Sequence, residues 1–216
     1  MSSGLTGALQ TMPLIAILRG LQSARAATVT NILVNAGFRV IEVPLNGAGA
    51  FEAISEVRRA VSGDIVVGAG TVLTPLFARQ AQQSGAEFLV MPNLNSLVME
   101  EGRRLRLPLI PGVMTPSEAF GALDMGAFAL KLFPADVVQP QGLKALRSVM
   151  PKGQGLIYPV SGIEPHAMKA WFDAGADGVG IGGSLFKPGY SDMEILQRAE
   201  SFVAEWRVIK GFSTCV

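Results

Sequence analysis

Lys131 stands in a stretch of the chain that is otherwise apolar, ALKLFPA (129–135). An ammonium group carried into a protein interior costs free energy unless it is paired or loses its proton. A lysine amine that is neutral near pH 7 is a nucleophile, and it condenses with carbonyl groups to form an imine. The stretch therefore indicates Schiff-base chemistry, although a lysine near a strand end can also extend its amine into water.

Three further polar residues stand in or directly after other apolar runs, namely Arg19 after LIAIL, Glu42 within VIEVPLN and Thr71 after GAG. A carboxylate close to the lysine could move protons during imine chemistry. The planar guanidinium of Arg19 suits a carboxylate. Each residue alone has an ordinary structural explanation, but several buried charges would be destabilising as mere core filling. Together they predict chemistry on a keto acid, with no need for a cofactor or metal, and no metal-ligand spacing is visible.

Eight short apolar runs alternate with helical patterns and predict eight strands, at residues 14–20, 40–46, 66–72, 88–93, 108–113, 129–134, 156–162 and 178–184. Strands that alternate with helices indicate βαβ units and a parallel sheet. A glycine precedes every second strand, where it lets a helix end in the left-handed conformation: Gly37, Gly85, Gly126 and Gly175. We expect a (β/α)8 TIM barrel. The alternative, a doubly wound open sheet, lacks support because the early glycine fingerprint with its later acidic residue is missing.

In such a barrel the active site lies at the C-terminal ends of the strands. Residues two apart on a strand share a face, and by this alternation the side chains of Lys131, Glu42, Arg19 and Thr71 point into one mouth. The last two strands end in SGI (161–163) and GGS (182–184). Glycines let backbone N–H groups approach an anion, and barrels often bind phosphate after strands seven and eight. The expected substrate is therefore a phosphorylated keto acid.

The composition fits one enzyme-sized domain over residues 1–216, with an N-terminal extension or helix at 1–12 and a flexible tail at 209–216. Hydrophobic residues make up 49% of the chain and its net charge is +1, which disfavours disorder and charge-driven nucleic-acid binding. No apolar segment reaches the roughly 18–20 residues of a membrane span, and the N-terminus lacks the pattern of a secretory signal. We expect a cytoplasmic protein. Cys215 is the one cysteine, so it cannot form an internal disulfide.

Six motifs resemble those of the class I 2-keto-3-deoxy-6-phosphogluconate/galactonate aldolases, a family of short barrels: IEVPLN, VGAGTVL, MPN, PGVMTPSEA, LKLFPA and GADGVGIGGSLF. The resemblance runs from PLIAILRG to GGSLF, nearly the whole chain. It implies that Lys131 forms the Schiff base with pyruvate and that Glu42 is the general acid/base. It also implies that Thr71 contacts the keto-acid moiety and that Pro92 and Phe133 line the pocket.

The galactonate branch of the family gives the better match. The gluconate branch has an arginine after its glutamate motif, whereas this chain has Asn46 there and offers Arg19 from the first strand instead. Ser161 stands where the family usually has a glycine, and it is a substrate-binding candidate whose hydroxyl could add a phosphate contact or narrow the loop. The remaining phosphate-site matches are Gly162, Gly182, Gly183 and Ser184. The resemblance further implies a homotrimer.

The expected reaction is cleavage of 2-dehydro-3-deoxy-6-phosphogalactonate to pyruvate and glyceraldehyde 3-phosphate. Three alternatives stay open. The same chemistry could act on the gluconate epimer or on both epimers. A phosphosugar isomerase or epimerase would need a carboxylate base but no imine. A catalytically silent phosphate-binding module is disfavoured, because the inward lysine and glutamate are both present.

Overall fold

A computed structural model describes residues 3–151 and 153–211 of the chain. Its helices are α1 (Ser3–Thr11), α2 (Ser23–Ala36), α3 (Ala50–Ala60), α4 (Pro75–Gln83), α5 (Ser96–Arg104), α6 (Pro116–Asp124), α7 (Ala135–Val149), α8 (Met168–Asp173) and α9 (Asp192–Ile209), with a 3-10 turn at Pro165–Ala167. Its strands are β1 (Leu14–Ile17), β2 (Val40–Pro44), β3 (Val66–Gly70), β4 (Phe88–Val90), β5 (Leu109–Ile110), β6 (Gly112–Val113), β7 (Ala129–Leu132), β8 (Leu156–Pro159) and β9 (Val179–Ile181). Each predicted run therefore contains a strand, flanked by residues outside the ladder.

The strands form two parallel sheets. One has the order β5-β4-β3-β2-β1-β9 and the other has the order β6-β7-β8. An isolated parallel bridge joins Val160, just after β8, to Gly180 in β9. The predicted α/β fold with parallel strands is confirmed.

The fifth predicted strand, 108–113, is not continuous. It consists of β5 and β6, which lie on either side of Pro111. Proline has no N–H group to donate to a ladder, so strand pairing is interrupted there. The carbonyl of Pro111 still accepts a hydrogen bond from the N–H group of Lys131, which keeps β7 alongside.

Two apolar clusters lie on opposite faces of the strands. Leu130 and Leu132 of β7 pack with the surrounding helices, whereas Ala129 of β7 belongs to a second cluster. That second cluster contains the inward residues of most strands together with Leu5, Ala8 and Leu9 of α1. Helix α1 therefore packs across the N-terminal ends of the strands, opposite the loops that carry the predicted site.

Helix ends follow the local sequence. The four glycines expected to terminate helices have φ angles of 121°, 98°, 82° and 100° at Gly37, Gly85, Gly126 and Gly175.

None of the helices in the described ranges is long and apolar enough to cross a membrane. The expected tail at 209–216 falls largely on residues 212–216, which with Cys215 lie outside the described part of the chain.

Candidate active site

Lys131 on β7 and Glu42 on β2 are the two buried charged side chains in the described ranges, with 4% and 2% of their surfaces exposed. Neither makes a side-chain hydrogen bond or ion pair with another described residue, and the Nζ of Lys131 lies 4.9 Å from the ring centroid of Phe133. Burial lowers the pKa of Lys131, the nearby Glu42 opposes this, and Arg19 lowers it further. Burial raises the pKa of Glu42, against the charges of Lys131 and Arg19. The amine is therefore easier to deprotonate than an ordinary lysine.

Strand register explains why a carboxylate fits in so tight a place. Glu42 pairs in register with Ile17 of β1 and with Gly68 of β3. Farther along β3, a Cβ atom built on Gly70 would lie 1.6 Å from the Oε1 of Glu42. The missing side chain at position 70 thus provides the space for the carboxylate.

A cavity of about 870 Å³ joins the buried lysine to the glycine-containing loops. It is lined by several of the predicted site residues, namely Arg19, Lys131, Phe133, Ser161, Gly162, Gly182, Gly183 and Ser184. Glu42, Thr71 and Pro92 are not among the lining residues. Thr71 directly follows the glycine that abuts Glu42 and has a positive φ of 55°, and Pro92 follows β4.

The two loops that follow β8 and β9 are tied together by a side chain. The hydroxyl of Ser184 donates a hydrogen bond of 2.6 Å to the carbonyl of Ile163. The backbone N–H groups of Gly162, Ile163, Gly183 and Ser184 donate to no other residue in the described ranges. Four uncommitted donors at one end of a cavity suit an anion, because polar backbone groups are otherwise paired.

Ser161 occupies an unusual backbone conformation for a residue with a side chain. Its φ is 101°, in a region that favours glycine and costs about 1–3 kcal/mol for other residues. Its side chain lines the cavity beside the loop of Gly162. The position at which the sequence departs from the family's glycine is therefore also one of backbone strain.

Several cavity-lining residues were not predicted from the sequence, and three of them, Lys187, Tyr190 and Arg198, carry a cation or a hydroxyl on the side of the glycine turn after β9. Lys187 and Tyr190 lie in the segment FKPGY, which is separated from the GGS stretch only by Leu185, so a cation close to a glycine turn was a usable signal. Arg198 lies within α9, and only the packing of that helix brings it to the cavity.

The arrangement has two chemically different ends. An amine, a guanidinium and a nearby carboxylate lie at one end, which suits a keto acid, and free N–H groups with cations lie at the other, which suits a phosphate. Within residues 3–151 and 153–211, no three His, Cys, Asp or Glu side chains lie close enough together to hold a metal ion.

Comparison with known proteins gives consistent results. The family model "Aldolase: KDPG and KHG aldolase" matches residues 5–200. The chain is 36% identical over 196 residues to the 2-dehydro-3-deoxy-6-phosphogalactonate aldolase of Escherichia coli (strain K12), covering 91% of this chain and 95% of that protein. A solved native KDPGal structure matches with a TM-score of 0.89 and 36% identity, over 93% and 97% of the two chains. A KDPG aldolase from Legionella pneumophila, with pyruvate captured at low pH as a covalent carbinolamine intermediate, matches with a TM-score of 0.79 and 26% identity, over 95% and 97%.

Proposed function

The chain belongs to the KDPG and KHG aldolase family and is an aldolase, and we propose that it cleaves 2-dehydro-3-deoxy-6-phosphogalactonate to pyruvate and glyceraldehyde 3-phosphate. One observation carries the proposal: a single cavity connects a buried lysine of lowered pKa to a pair of loops with uncommitted N–H groups. The galactonate aldolase of Escherichia coli, at 36% identity over most of both chains, supports the choice of epimer.

The first half of the proposed reaction builds an electron sink. The neutral amine of Lys131 attacks the C2 ketone, and the resulting carbinolamine takes up a proton from Glu42 and loses water to give a protonated imine. Arg19 lines the same cavity and interacts electrostatically with both Lys131 and Glu42. Its guanidinium binds the C1 carboxylate and so holds the ketone next to the amine. Thr71, with Pro92 and Phe133 as pocket walls, completes the proposed keto-acid subsite.

The second half breaks a carbon–carbon bond. Glu42 takes the proton of the C4 hydroxyl through water, the C3–C4 bond breaks, and its electron pair moves into the imine. This releases glyceraldehyde 3-phosphate and leaves an enamine on Lys131. Glu42 then returns the proton to C3, which becomes the methyl carbon, and water hydrolyses the imine to free pyruvate and the amine.

The phosphate of the substrate is assigned to the loops after β8 and β9. The N–H groups of Gly162, Gly183 and Ser184 are the proposed donors, with Gly182 allowing close approach of the ligand. The hydroxyl hydrogen of Ser184 is already bonded to Ile163, so Ser184 contributes through its backbone. Ser161 adds a hydroxyl to the same end of the cavity.

The choice of substrate is tested by comparing the two C4 epimers. We expect kcat/KM for the galactonate epimer to exceed that for the gluconate epimer by at least about tenfold, since a site that hydrogen-bonds a hydroxyl discriminates strongly against its misplacement. Equal rates would identify a dual-specificity aldolase, and reversed rates a gluconate aldolase. Isomerisation without cleavage, and without a borohydride-trapped pyruvate adduct, would favour the isomerase alternative.

Gly70→Ala tests whether the space beside Glu42 matters for the reaction. The added methyl would collide with the carboxylate, and we expect kcat to fall about 100-fold, as a misplacement of about 1 Å can cause. The φ of Gly70 is not positive, so the backbone accepts alanine. Gly7→Ala on α1, where an added Cβ would meet no atom within 4 Å, is the matched control. Unchanged kcat in Gly70→Ala would show that the position of Glu42 is not critical.

We also propose that the two sheets close into one eight-stranded barrel in a single domain over residues 1–216. Two features support closure: β5 and β6 are consecutive parts of one strand, and the bridge from Val160 to Gly180 links the other two edges. The proposal includes a cytoplasmic location, because a phosphorylated acid does not cross a membrane unaided.

A homotrimer is proposed as the working assembly. Several large apolar side chains are exposed within or just before α4, α5 and α6: Leu73, Leu76, Leu97, Met114 and Phe120. Clustered exposed apolar residues are typical of protein–protein contacts. A second and third copy of the chain would cover them.

A further inference from the structure

The loop after β9 carries a lysine that folds back over the glycine turn. A Cβ atom built on Gly183 would lie 3.7 Å from the Cε of Lys187, so the lysine side chain runs along the turn. Its Nζ lies 5.6 Å from the ring centroid of Tyr190. Lys187 is an exposed residue that also lines the cavity, which places its charge at the phosphate end.

Tyr190 and Arg198 fix the orientation of this turn. The guanidinium of Arg198 lies 4.4 Å from the Tyr190 ring centroid and donates a hydrogen bond of 3.1 Å to the carbonyl of Ser184. The Tyr190 hydroxyl donates a long hydrogen bond of 3.4 Å to the carbonyl of Gly183. The carbonyl of Gly183 and the N–H group of Ser184 belong to one peptide group and point in opposite directions, so Tyr190 holds the carbonyl on one side and the N–H group stays free for a ligand on the other.

The charge of Lys187 is not used elsewhere in the described part of the chain, where no carboxylate forms an ion pair with it. The charge of Arg198, in contrast, also acts on the carboxylate of Glu194. Hydrogen bonds from Ser191 lower the pKa of Glu194, and the charge of Arg198 lowers it further. One carboxylate, Glu164, lines the same cavity. An uncommitted ammonium beside free backbone donors is a favourable place for a phosphate dianion.

We propose that Lys187 is the phosphate-selecting cation of this enzyme, with Tyr190 and Arg198 as its positioning residues. This inference rests on the proposed aldolase function, because it assigns the residue that distinguishes a phosphorylated substrate from its unphosphorylated counterpart. The glycine turns supply shape and neutral donors, and Lys187 supplies the full charge.

The test measures aldol addition of pyruvate to glyceraldehyde 3-phosphate and to D-glyceraldehyde. We expect Lys187→Gln to lower the ratio of the two kcat/KM values about tenfold, mainly through KM for the phosphorylated aldehyde, as loss of one charge-assisted hydrogen bond does. Lys187→Arg keeps the charge and should retain most of the ratio. Lys169→Gln is the control, since Lys169 is an exposed lysine of α8 paired with Asp173 outside the cavity.

Binding of inorganic phosphate gives a second readout that needs no catalysis. Phosphate should raise the thermal unfolding temperature of the wild type and of Lys169→Gln, and should do so much less for Lys187→Gln. If the wild type shows no aldolase activity but Lys187→Gln still loses the phosphate-induced shift, the role of Lys187 in phosphate binding is supported and the aldolase function is overturned. An unchanged ratio, or an equal loss on both aldehydes, in an active enzyme would overturn the role of Lys187 and leave the aldolase function standing.

Discussion

Lys131→Met is expected to lower kcat for aldol cleavage by about 10⁴-fold or more, because covalent catalysis has no substitute once its nucleophile is gone. Methionine has a similar length and suits the apolar surroundings of Ala129 and Phe133, so the variant should fold. Coupled detection of pyruvate release measures the loss. Borohydride reduction with pyruvate, followed by intact mass and peptide mapping, should give an adduct on Lys131 in the wild type and none in the variant.

The control is Lys169→Met, which removes an exposed lysine and should keep both activity and adduct. An adduct at another lysine in Lys131→Met, or turnover close to that of the wild type, would contradict the assignment. The pH dependence of imine formation tests the direction of the pKa shift of Lys131. A lowered pKa means that the neutral amine is present at lower pH than for an ordinary lysine, so imine formation should persist well below pH 10.5.

Glu42→Gln is expected to lower kcat by about 10²–10⁴-fold, the usual contribution of general acid–base catalysis. The amide is nearly isosteric and should fit the space left by Gly70. Lys131 should still be trapped with pyruvate on long incubation, but more slowly, because its nucleophile remains while proton transfer is impaired. Steady-state rates and the time course of trapping measure the two effects separately.

Glu42→Gln should raise the thermal stability of the protein although it lowers the activity. The pKa of Glu42 is raised in the folded state, so its contribution to stability is fully present below pH 4.5 and is lost as the pH rises through the folded pKa. Glutamine does not ionise, so the Glu42→Gln variant does not lose this stability as the pH rises. Glu42→Gln should therefore unfold at a higher temperature than the wild type at pH 8, with a smaller difference at pH 5.

The matched control for Glu42 is Glu200→Gln, which changes an exposed carboxyl in the middle of α9, away from the ends of the helix. It should leave both kcat and the unfolding temperature as they are. Retention of more than a tenth of the wild-type kcat in Glu42→Gln would show that another group moves the protons.

Most strands were predictable because their signal is local. Short apolar runs bounded by turns located every strand, and the alternation of faces on which the inward placement of Lys131 was based is seen in β7, where Leu130 and Leu132 lie in the helix-facing cluster and Ala129 in the other. The interruption at Pro111 was readable in principle, since proline cannot donate to a ladder. It was missed because the run around it is apolar on both sides.

The candidate site was predictable only in part. Lys131 and Glu42 stand out because a charge in an apolar run is unusual at the level of the sequence itself. The function of Gly70 depends on the register between β2 and β3, which no local pattern reveals. Arg198 reaches the cavity because α9 packs against the loop of Ser184, fourteen residues earlier in the chain. Such contacts come from tertiary packing and leave no periodic trace.

Helix α1 helps to set the order in which the two products leave the proposed active site. Its residues Leu5, Ala8 and Leu9 fill the N-terminal end of the strands with apolar side chains, so ligands enter and leave by the loop end. In the proposed reaction pyruvate is bound covalently at Lys131, deeper than the aldehyde, whose phosphate lies at the loops. The aldehyde must therefore depart first. Product inhibition should accordingly be competitive for pyruvate and noncompetitive for glyceraldehyde 3-phosphate.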